Sequence, residues 1–328
     1  MKNQQLHLHT WGSKLRRRDG LFEVIVVNKQ KKTIKREEVA AARVDRIRLS
    51  EGSTVSVDAI RLALEQDVDI VFQDKYGHPI GAVRSAEPGS TTLVQKAQLR
   101  ATLDDTGLHI ARDWLLRKLQ AQQALLALVE LPAEKQARLE ALLRKVAAWQ
   151  PADGDRASLR GWEGSAGRLY FGTLGGALPK RYRFAQRSRR PARDRFNALL
   201  NYGYGVLYTE VERCLLRAGL SPYIGFLHRD GYRFKSLVFD FIEPYRHTVD
   251  RTVWKLCTNR KLDYHDFTET ADGWLIGPRA RKQLLDKLDR ELRVQKTRYE
   301  GRKETLLQIM QLEAYALAKR LRHTYENA

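Results

Sequence analysis

The chain has 328 residues, 43% hydrophobic and 30% charged, with 59 lysines and arginines against 39 acids and a formal net charge of +20. No apolar run approaches the roughly 18 residues of a membrane span, and the N-terminus "MKNQQLHLHTWGSKLRRR" has no apolar core of a secretory signal. The two cysteines, Cys214 and Cys257, fall in no metal-type spacing, so a disulfide framework and a thiolate zinc site are excluded and a reduced cytoplasmic compartment is expected.

From Leu21 to about Arg84 the rhythm is that of strands. "LFEVIVVN" and "DIVFQD" are short and rich in β-branched and aromatic residues, and "KYGHPIG" reads as a turn. Between them "VSVDAIRLALEQD" has helical spacing, with Val57, Ile60, Leu64 and Val68 apolar. "SAEPGSTT" has linker composition. Thereafter long helical patterns dominate: "ATLDDTGLHIARDWLLRKLQAQQALLALVE", "AEKQARLEALLRKVAAW", "DRFNALLNYGYGVLYTEVERCLLRAG" and "ETLLQIMQLEAYALAKRLRHTYEN". "FTETADGWLIG" reads as a hairpin turning at Asp272-Gly273. The expected architecture is α+β: a small β-rich N-terminal domain (1–86), a linker (87–98) and a larger α-helical domain (99–328).

An excess of base this large favours a polyanionic partner, with solubility alone as the competing reading. The bases are not evenly spread. "PKRYRFAQRSRRPARDR", Pro179 to Arg195, holds eight lysines or arginines and a single acid, with Tyr182 and Phe184 interleaved. Two prolines and few aliphatics argue for a loop, and arginine suits phosphate because its planar fork donates bidentately. Lys180, Arg181, Arg183, Arg187, Arg189, Arg190 and Arg193 are therefore candidates for tracking a nucleic-acid backbone, against a merely solvated loop. "RARKQLLDKLDRELRVQKTRYEGRK" is interrupted by acids at helical spacing and reads as an exposed helix laced with ion pairs.

The stretch "SPYIGFLHRDGYRFKSLVFDFIEPYR" sets His228, Asp240 and Glu243 in apolar company, where charge is costly unless paired or bound to metal. On a helix, Asp240 and Glu243 share a face; on a strand they point to opposite faces. "SLVFDF" suits a strand by propensity, while Pro244 sits where a helix starts, so both remain open. One carboxylate serves as a ligand and the other orients it or a water. Imidazole with carboxylates favours Mg²⁺ or Mn²⁺. A third ligand is wanted, and spacing alone does not choose Glu163, in "LRGWEGSAGRLYFG", over other glutamates. No G-x-S-x-G elbow occurs, and no Walker or dinucleotide glycine loop.

At these residues the sequence resembles the CRISPR-associated integrase-nuclease, the first and most widespread CRISPR-associated protein. "GWEGSAGRLYFG" is similar to the family's metal-binding glutamate block. "DRFNALLNYGYGVLYTEVERCLLRAGLSPYIGFLH" resembles its long helix ending in G-F-L-H, and "SLVFDFIEPYR" its D-L-x-E-P-[FY]-R block, with "HTVDR" following. The departures are Trp162, where an aliphatic residue is usual, and Gly167, where alanine is common.

The resemblance implies a metal-dependent DNA endonuclease and integrase of a prokaryotic cytoplasm. It joins 3′-hydroxyl ends of short DNA fragments into the CRISPR array by transesterification. Glu163, His228 and Glu243 would be the catalytic metal ligands for Mg²⁺ or Mn²⁺, with Asp240 adjacent or ligating. Tyr208 and Arg246 join the basic segment as DNA-contact candidates, Tyr208 standing equally well as a packed aromatic. Implied partners are DNA, a second copy of the chain through the β domain, and the small second CRISPR-associated protein. Competing readings are a silent nucleic-acid-binding scaffold, a degradative nuclease, and a transposon-type integrase, which usually carries extra DNA-binding segments.

Overall fold

The computed structural model describes residues 4–28, 33–74, 77, 79–84, 91–129, 131–151, 156–189, 191–229, 231–232, 234–259 and 261–326. The chain divides into two compact units, residues 1–88 and 89–328.

The first unit is built on two four-stranded sheets. One runs β4(Thr33–Ala40), β3(Leu21–Asn28), β2(Lys14–Arg18), β6(Thr54–Val55), and the other β1(Gln4–Leu8), β5(Val44–Ser50), β7(Asp69–Gln73), β8(Pro79–Val83). In the second sheet β1, β5 and β7 are parallel and β8 closes antiparallel. The parallel crossover from β5 to β7 passes through β6 and α1(Val57–Glu65), whose N-cap Ser56 accepts from the Ala59 amide at 3.2 Å. Leu6, Leu8, Leu15, Phe22, Ile47, Leu62 and Ile70 make the core. The "KYGHPIG" turn lies partly outside the described residues, and its Pro79–Gly81 already belongs to β8.

The second unit is helical: α2(Thr91–Arg100), α3(Thr106–Leu126), α4(Ala133–Ala148), α5(Arg156–Gly176), α6(Arg195–Arg217), α7(Ser236–Phe241), α8(Arg246–Thr258), α9(Pro278–Asp289) and α10(Leu306–Glu326). Residues 85–90 lie outside the described set, and Thr91–Arg100, mostly within the stretch expected as linker, is helix. α6 is the pillar of this unit. Asp194 caps it through the Asn197 amide at 2.8 Å, and nearly every residue from Phe196 to Leu215 is buried. A helix buried on nearly every side belongs in a core, and its buried acids Glu210 and Glu212 are paired with Arg293 and Lys235. It ends at Gly219 (φ +78°), where Gly219 N–H donates to Leu216 O and Leu220 N–H to Leu215 O, both at 3.0 Å. This glycine stop turns the chain back toward His228.

Two hairpins complete the unit. β9(Phe267–Thr270) and β10(Gly273–Ile276) pair with Gly273 opposite Thr270, so the turn residues are Ala271-Asp272, one position earlier than expected. The stretch expected as one long exposed helix is instead α9, a single π-helical turn (Arg290–Val294), and a second hairpin of β11(Lys296–Tyr299) and β12(Arg302–Thr305). Glu300 and Gly301, at φ +45° and +82°, supply the two positive φ angles that a tight hairpin turn requires.

Candidate metal centre

Five segments converge on one spot. α5 places Glu163 in its inward stripe with Leu159, Ala166 and Tyr170, at spacings of four, three and seven. The segment following α6 carries His228. "SLVFDF" is helix α7, carrying Asp240, and Glu243 opens the 3-10 turn Glu243–Tyr245 that follows. α3 contributes Lys118, on its buried face among Ile110, Trp114, Leu115, Leu119 and Gln122.

Asp240, 2% exposed, has a defined task. Its Oδ2 accepts from the amides of Phe226 (2.6 Å) and Leu227 (2.9 Å), and its Oδ1 from the His228 amide (3.1 Å). Oδ1 also meets His228 Nδ1 at 2.5 Å. A carboxylate only accepts, so Nδ1 carries a proton, and in the neutral ring Nε2 keeps the lone pair. Burial alone would lower the imidazole's pKa, but Asp240, Glu163 and Glu243 outweigh it and raise it.

Glu163 and Glu243 meet at Lys118. Its ammonium is 2.8 Å from Glu163 Oε1 and 2.6 Å from Glu243 Oε2. Burial would depress the lysine pKa, and Glu243 and Glu163 reverse this and raise it. Arg246 Nε donates to Glu243 Oε1 at 2.8 Å. Burial would push Glu243 up, yet Arg246 and Lys118 hold it down at about 2, so it is ionised at neutral pH.

Among the described residues, no three histidine, cysteine or acidic side chains converge closely enough to hold a metal as they stand. The donors nevertheless fit a hard divalent cation. Glu243 Oε2 is buried, and despite its closeness to Lys118 it receives no correctly directed hydrogen bond. Such an oxygen wants a cation more than a donor. With Glu163 at one side and a correctly tautomerised histidine beside them, the set is the mixed nitrogen and oxygen type suited to Mg²⁺ or Mn²⁺.

The expected DNA-contact residues fall into two groups. Lys180, Arg181, Arg183, Arg189 and Arg193 are exposed on the loop before α6, and Arg190 lies outside the described residues. Arg187 is inward: Nη1 donates to Asn197 Oδ1 at 2.8 Å and Nη2 to Asn201 Oδ1 at 2.6 Å, with the guanidinium 5.4 Å from the Tyr204 ring centroid. The interleaved aromatics are anchors, since Tyr182 donates to Leu262 O at 3.0 Å and Phe184 stacks on Phe196 at 5.0 Å. Arg246 is buried against Glu243, and its Nη2 donates to the Tyr208 hydroxyl at 2.9 Å. Tyr208 is half-buried and packs edge-on to Phe239 at 5.0 Å. Lys118 was not among the expected site residues. Its signal is a lone cation in the apolar stripe of "IARDWLLRKLQAQQALL".

The fold and this site define a two-unit α+β protein with a carboxylate–histidine centre in its helical unit. A family model described as CRISPR associated protein Cas1 matches residues 6–290, and the chain belongs to that family. Similar proteins include the "CRISPR-associated endonuclease Cas1 1" of Archaeoglobus fulgidus, 32% identical over 80% of this chain and 81% of that one. Another, of the same printed name, is from Thermus thermophilus, 32% identical over 88% of this chain and 86% of that one.

Among solved structures, a casposase bound to integration product superposes with a TM-score of 0.87 at 23% identity, over 98% of this chain and 92% of that one. A Cas6-RT-Cas1–Cas2 complex does so with a TM-score of 0.80 at 25% identity, over 98% of this chain and 35% of that one. Among the described residues, no helix is long and apolar enough to cross a membrane.

Proposed function

We propose that this chain is a metal-dependent DNA integrase and endonuclease of CRISPR adaptation, acting in a prokaryotic cytoplasm. It joins the 3′-hydroxyl ends of short DNA fragments into the CRISPR array. The carrying observation is the convergence of Glu163 and Glu243 on a single cation position, beside a histidine whose tautomer Asp240 sets. Family membership and the relatives named as endonucleases support the chemistry. The complex containing Cas2 supports a Cas2 partner, and association of two copies through the first unit follows from the family resemblance.

In this reading Glu163, Glu243 and His228 Nε2 hold Mg²⁺ or Mn²⁺. When bound, the ion supplies Lewis-acid stabilisation of the phosphoryl, attacking and leaving oxygens. Asp240 fixes the ring orientation of His228, and Arg246 holds Glu243 ionised in a buried place. The exposed bases of the loop before α6 hold DNA by its phosphates, largely without reading sequence. In the joining step a 3′-oxygen forms a bond to a target phosphorus and the target's own 3′-oxygen leaves with a proton. One phosphodiester replaces another, so no nucleotide hydrolysis is needed.

The test is strand transfer into supercoiled DNA carrying a CRISPR repeat, with labelled short duplexes bearing free 3′-hydroxyls and Cas2 present. Joined product is expected with Mn²⁺ or Mg²⁺, and none with chelator or with His228→Ala or Glu163→Gln. DNA bound but never joined, equally by wild type and variants, would leave a scaffold in place of the enzyme.

A further inference from the structure

A cavity of about 640 Å³ opens in the second unit between α3, the 3-10 turn after α7, the start of α8, β11 and α10. Its size falls within the roughly 300–1,000 Å³ of small-molecule sites. It is distinct from the carboxylate centre. In the turn they share, Glu243 and Arg246 are bound to each other and to Lys118 and Tyr208, while Pro244, Tyr245 and His247 line the cavity.

The charge of its lining is one-sided. Arg117, Arg298 and Arg320 face a single acid, Glu313, while burial keeps the His247 ring neutral. That acid is already consumed: Arg117 grips both its oxygens at 2.7 and 2.9 Å, and the Tyr245 hydroxyl donates to Oε2 at 2.5 Å. No carboxylate lies within ion-pair distance of Arg298 or Arg320 among the described residues, and both are exposed. Tyr245 and Tyr299 supply aromatic wall beside these cations.

A second, independent feature points the same way. The hairpin of β11 and β12 places Arg298 directly opposite Lys303. Like charges in that position destabilise a sheet pair. Lys296, two residues along, lies on the same face as Arg298, and Thr305 completes the row, so that face carries three cations and no acid. The other face carries Thr297, Tyr299, Arg302 and Glu304, a mixed set. A two-stranded ribbon with little core of its own tolerates this repulsion at a cost, and an anion lying across the face would relieve it.

From these two observations we infer that the cavity and the Lys296–Arg298–Lys303 face form a DNA-phosphate site outside the candidate metal centre. The ligand class is a phosphodiester strand, whose phosphates meet Arg298, Lys303 and Arg320. The choice of DNA as the polyanion rests on the proposed function, while the anion preference rests on the lining alone. A strand held here runs along the opposite side of the turn that carries Glu243, so it would be positioned relative to the carboxylates without touching them.

The experiment measures binding of a fluorescent short DNA by the full chain in chelator, across a range of salt, for wild type, Arg298→Ala/Lys303→Ala, Arg320→Ala and Arg302→Ala. The double variant is expected to weaken binding about tenfold and to reduce the slope of log K against log salt by about 1.4–1.8, for two phosphate contacts. Its melting temperature should stay level or rise, because a repulsive pair is gone. Arg320→Ala should reduce the slope by about 0.7–0.9, and Arg302→Ala, on the opposite face, should leave it in place.

Unchanged affinity and slope in the double variant overturn the inference, as does an equal loss in Arg302→Ala, which would mean general charge only. Displacement of DNA by inorganic phosphate at constant ionic strength, as effective as by unlabelled DNA, would assign the site to a free anion and overturn the DNA strand. Strand transfer failing in wild type while these binding differences persist would count against the enzyme alone. Intact joining with no binding differences would count against this site alone.

Discussion

Lys118 and Glu243 stand 2.6 Å apart, ammonium to carboxylate, and the same ammonium is 2.8 Å from Glu163. The side chain of Lys118 is only 9% exposed and that of Glu243 4%, so the contact is made with little water to screen it. A lysine here holds the position between two carboxylates that a divalent ion would take.

Replacing Lys118 by methionine therefore has two opposite effects. It leaves the buried carboxylate with Arg246 as its remaining partner, and breaking such a pair costs roughly 3–5 kcal/mol. The metal-free variant should melt well below wild type. It also removes a charge repelling any incoming divalent ion, worth about 8 kcal/mol at 4 Å for an effective dielectric of 20. Mn²⁺ should bind at least about tenfold more tightly, read by titration calorimetry, and should raise the variant's Tm more than wild type's. Equal or weaker Mn²⁺ binding would make Lys118 a helper of the ion and not its competitor.

What could be read from the residues divides along physical lines. Long amphipathic helices such as α4 and α6, and short β-branched strands such as β3 and β7, follow from local periodicity and were legible. The helix–strand ambiguity at "SLVFDF" was not, because six residues are too few for a period to show. Lys118 escaped because a cation in an apolar stripe declares burial but not its partners, which come from α5 and the turn after α7. Arg187 escaped in the opposite sense. Composition placed it in a solvated loop, whereas Asn197 and Asn201, on the facing turn of α6, draw it inward. The hairpin after α9 was hidden by acids that happened to fall at helical spacing, and only Glu300-Gly301 marked the turn.

Gly225 should prove intolerant of any side chain. A methyl group there would lie 2.5 Å from Ser236 Cβ and 2.9 Å from Asp240 Oδ2, the oxygen that accepts from Phe226 and Leu227. Gly225→Ala must displace that segment from Asp240, and His228 with it. The expected outcome is a loss of about 1–3 kcal/mol in thermal stability together with loss of strand transfer. Wild-type activity in a stably folded Gly225→Ala protein would mean that His228 does not depend on the Asp240 grip.

The basic loop before α6 should separate into structural and ligand-binding arginines. Arg187→Ala removes charge-assisted hydrogen bonds to Asn197, Asn201 and the Ser188 carbonyl, together with ring contacts, and should lower stability by about 2 kcal/mol. Lys180→Ala/Arg189→Ala/Arg193→Ala removes three exposed charges instead. That triple variant should melt like wild type while its DNA-binding salt slope falls by about 2–3. Paired measurement of Tm and salt dependence checks both halves, and an unaltered slope in the triple variant would make this loop a bystander to DNA.

Asp250 gives the clearest pH signature. It is 1% exposed and accepts from the Tyr170 hydroxyl at 2.9 Å and from the Tyr204 hydroxyl. Burial raises its pKa to about 6 from 3.8, even though both tyrosines and the arginines Arg246 and Arg187 pull it down. A carboxyl whose folded pKa is raised binds its proton more tightly when folded. Its contribution to stability is therefore complete below 3.8 and disappears as pH rises through about 6. Glu243 acts in the other sense, but its window lies below 4.5 and closes near 2, clear of this range. Between pH 4 and 7 the wild type should thus lose on the order of 3 kcal/mol from this group. Asp250→Asn keeps an oxygen to accept from one tyrosine and offers an amide to the other, with no charge to bury. Denaturant unfolding from pH 4 to 8 should show the wild-type decline flattened in the variant, with the variant the more stable at pH 8. Parallel curves for the two proteins would place the titration elsewhere and leave Asp250 ionised and fully compensated by its arginines.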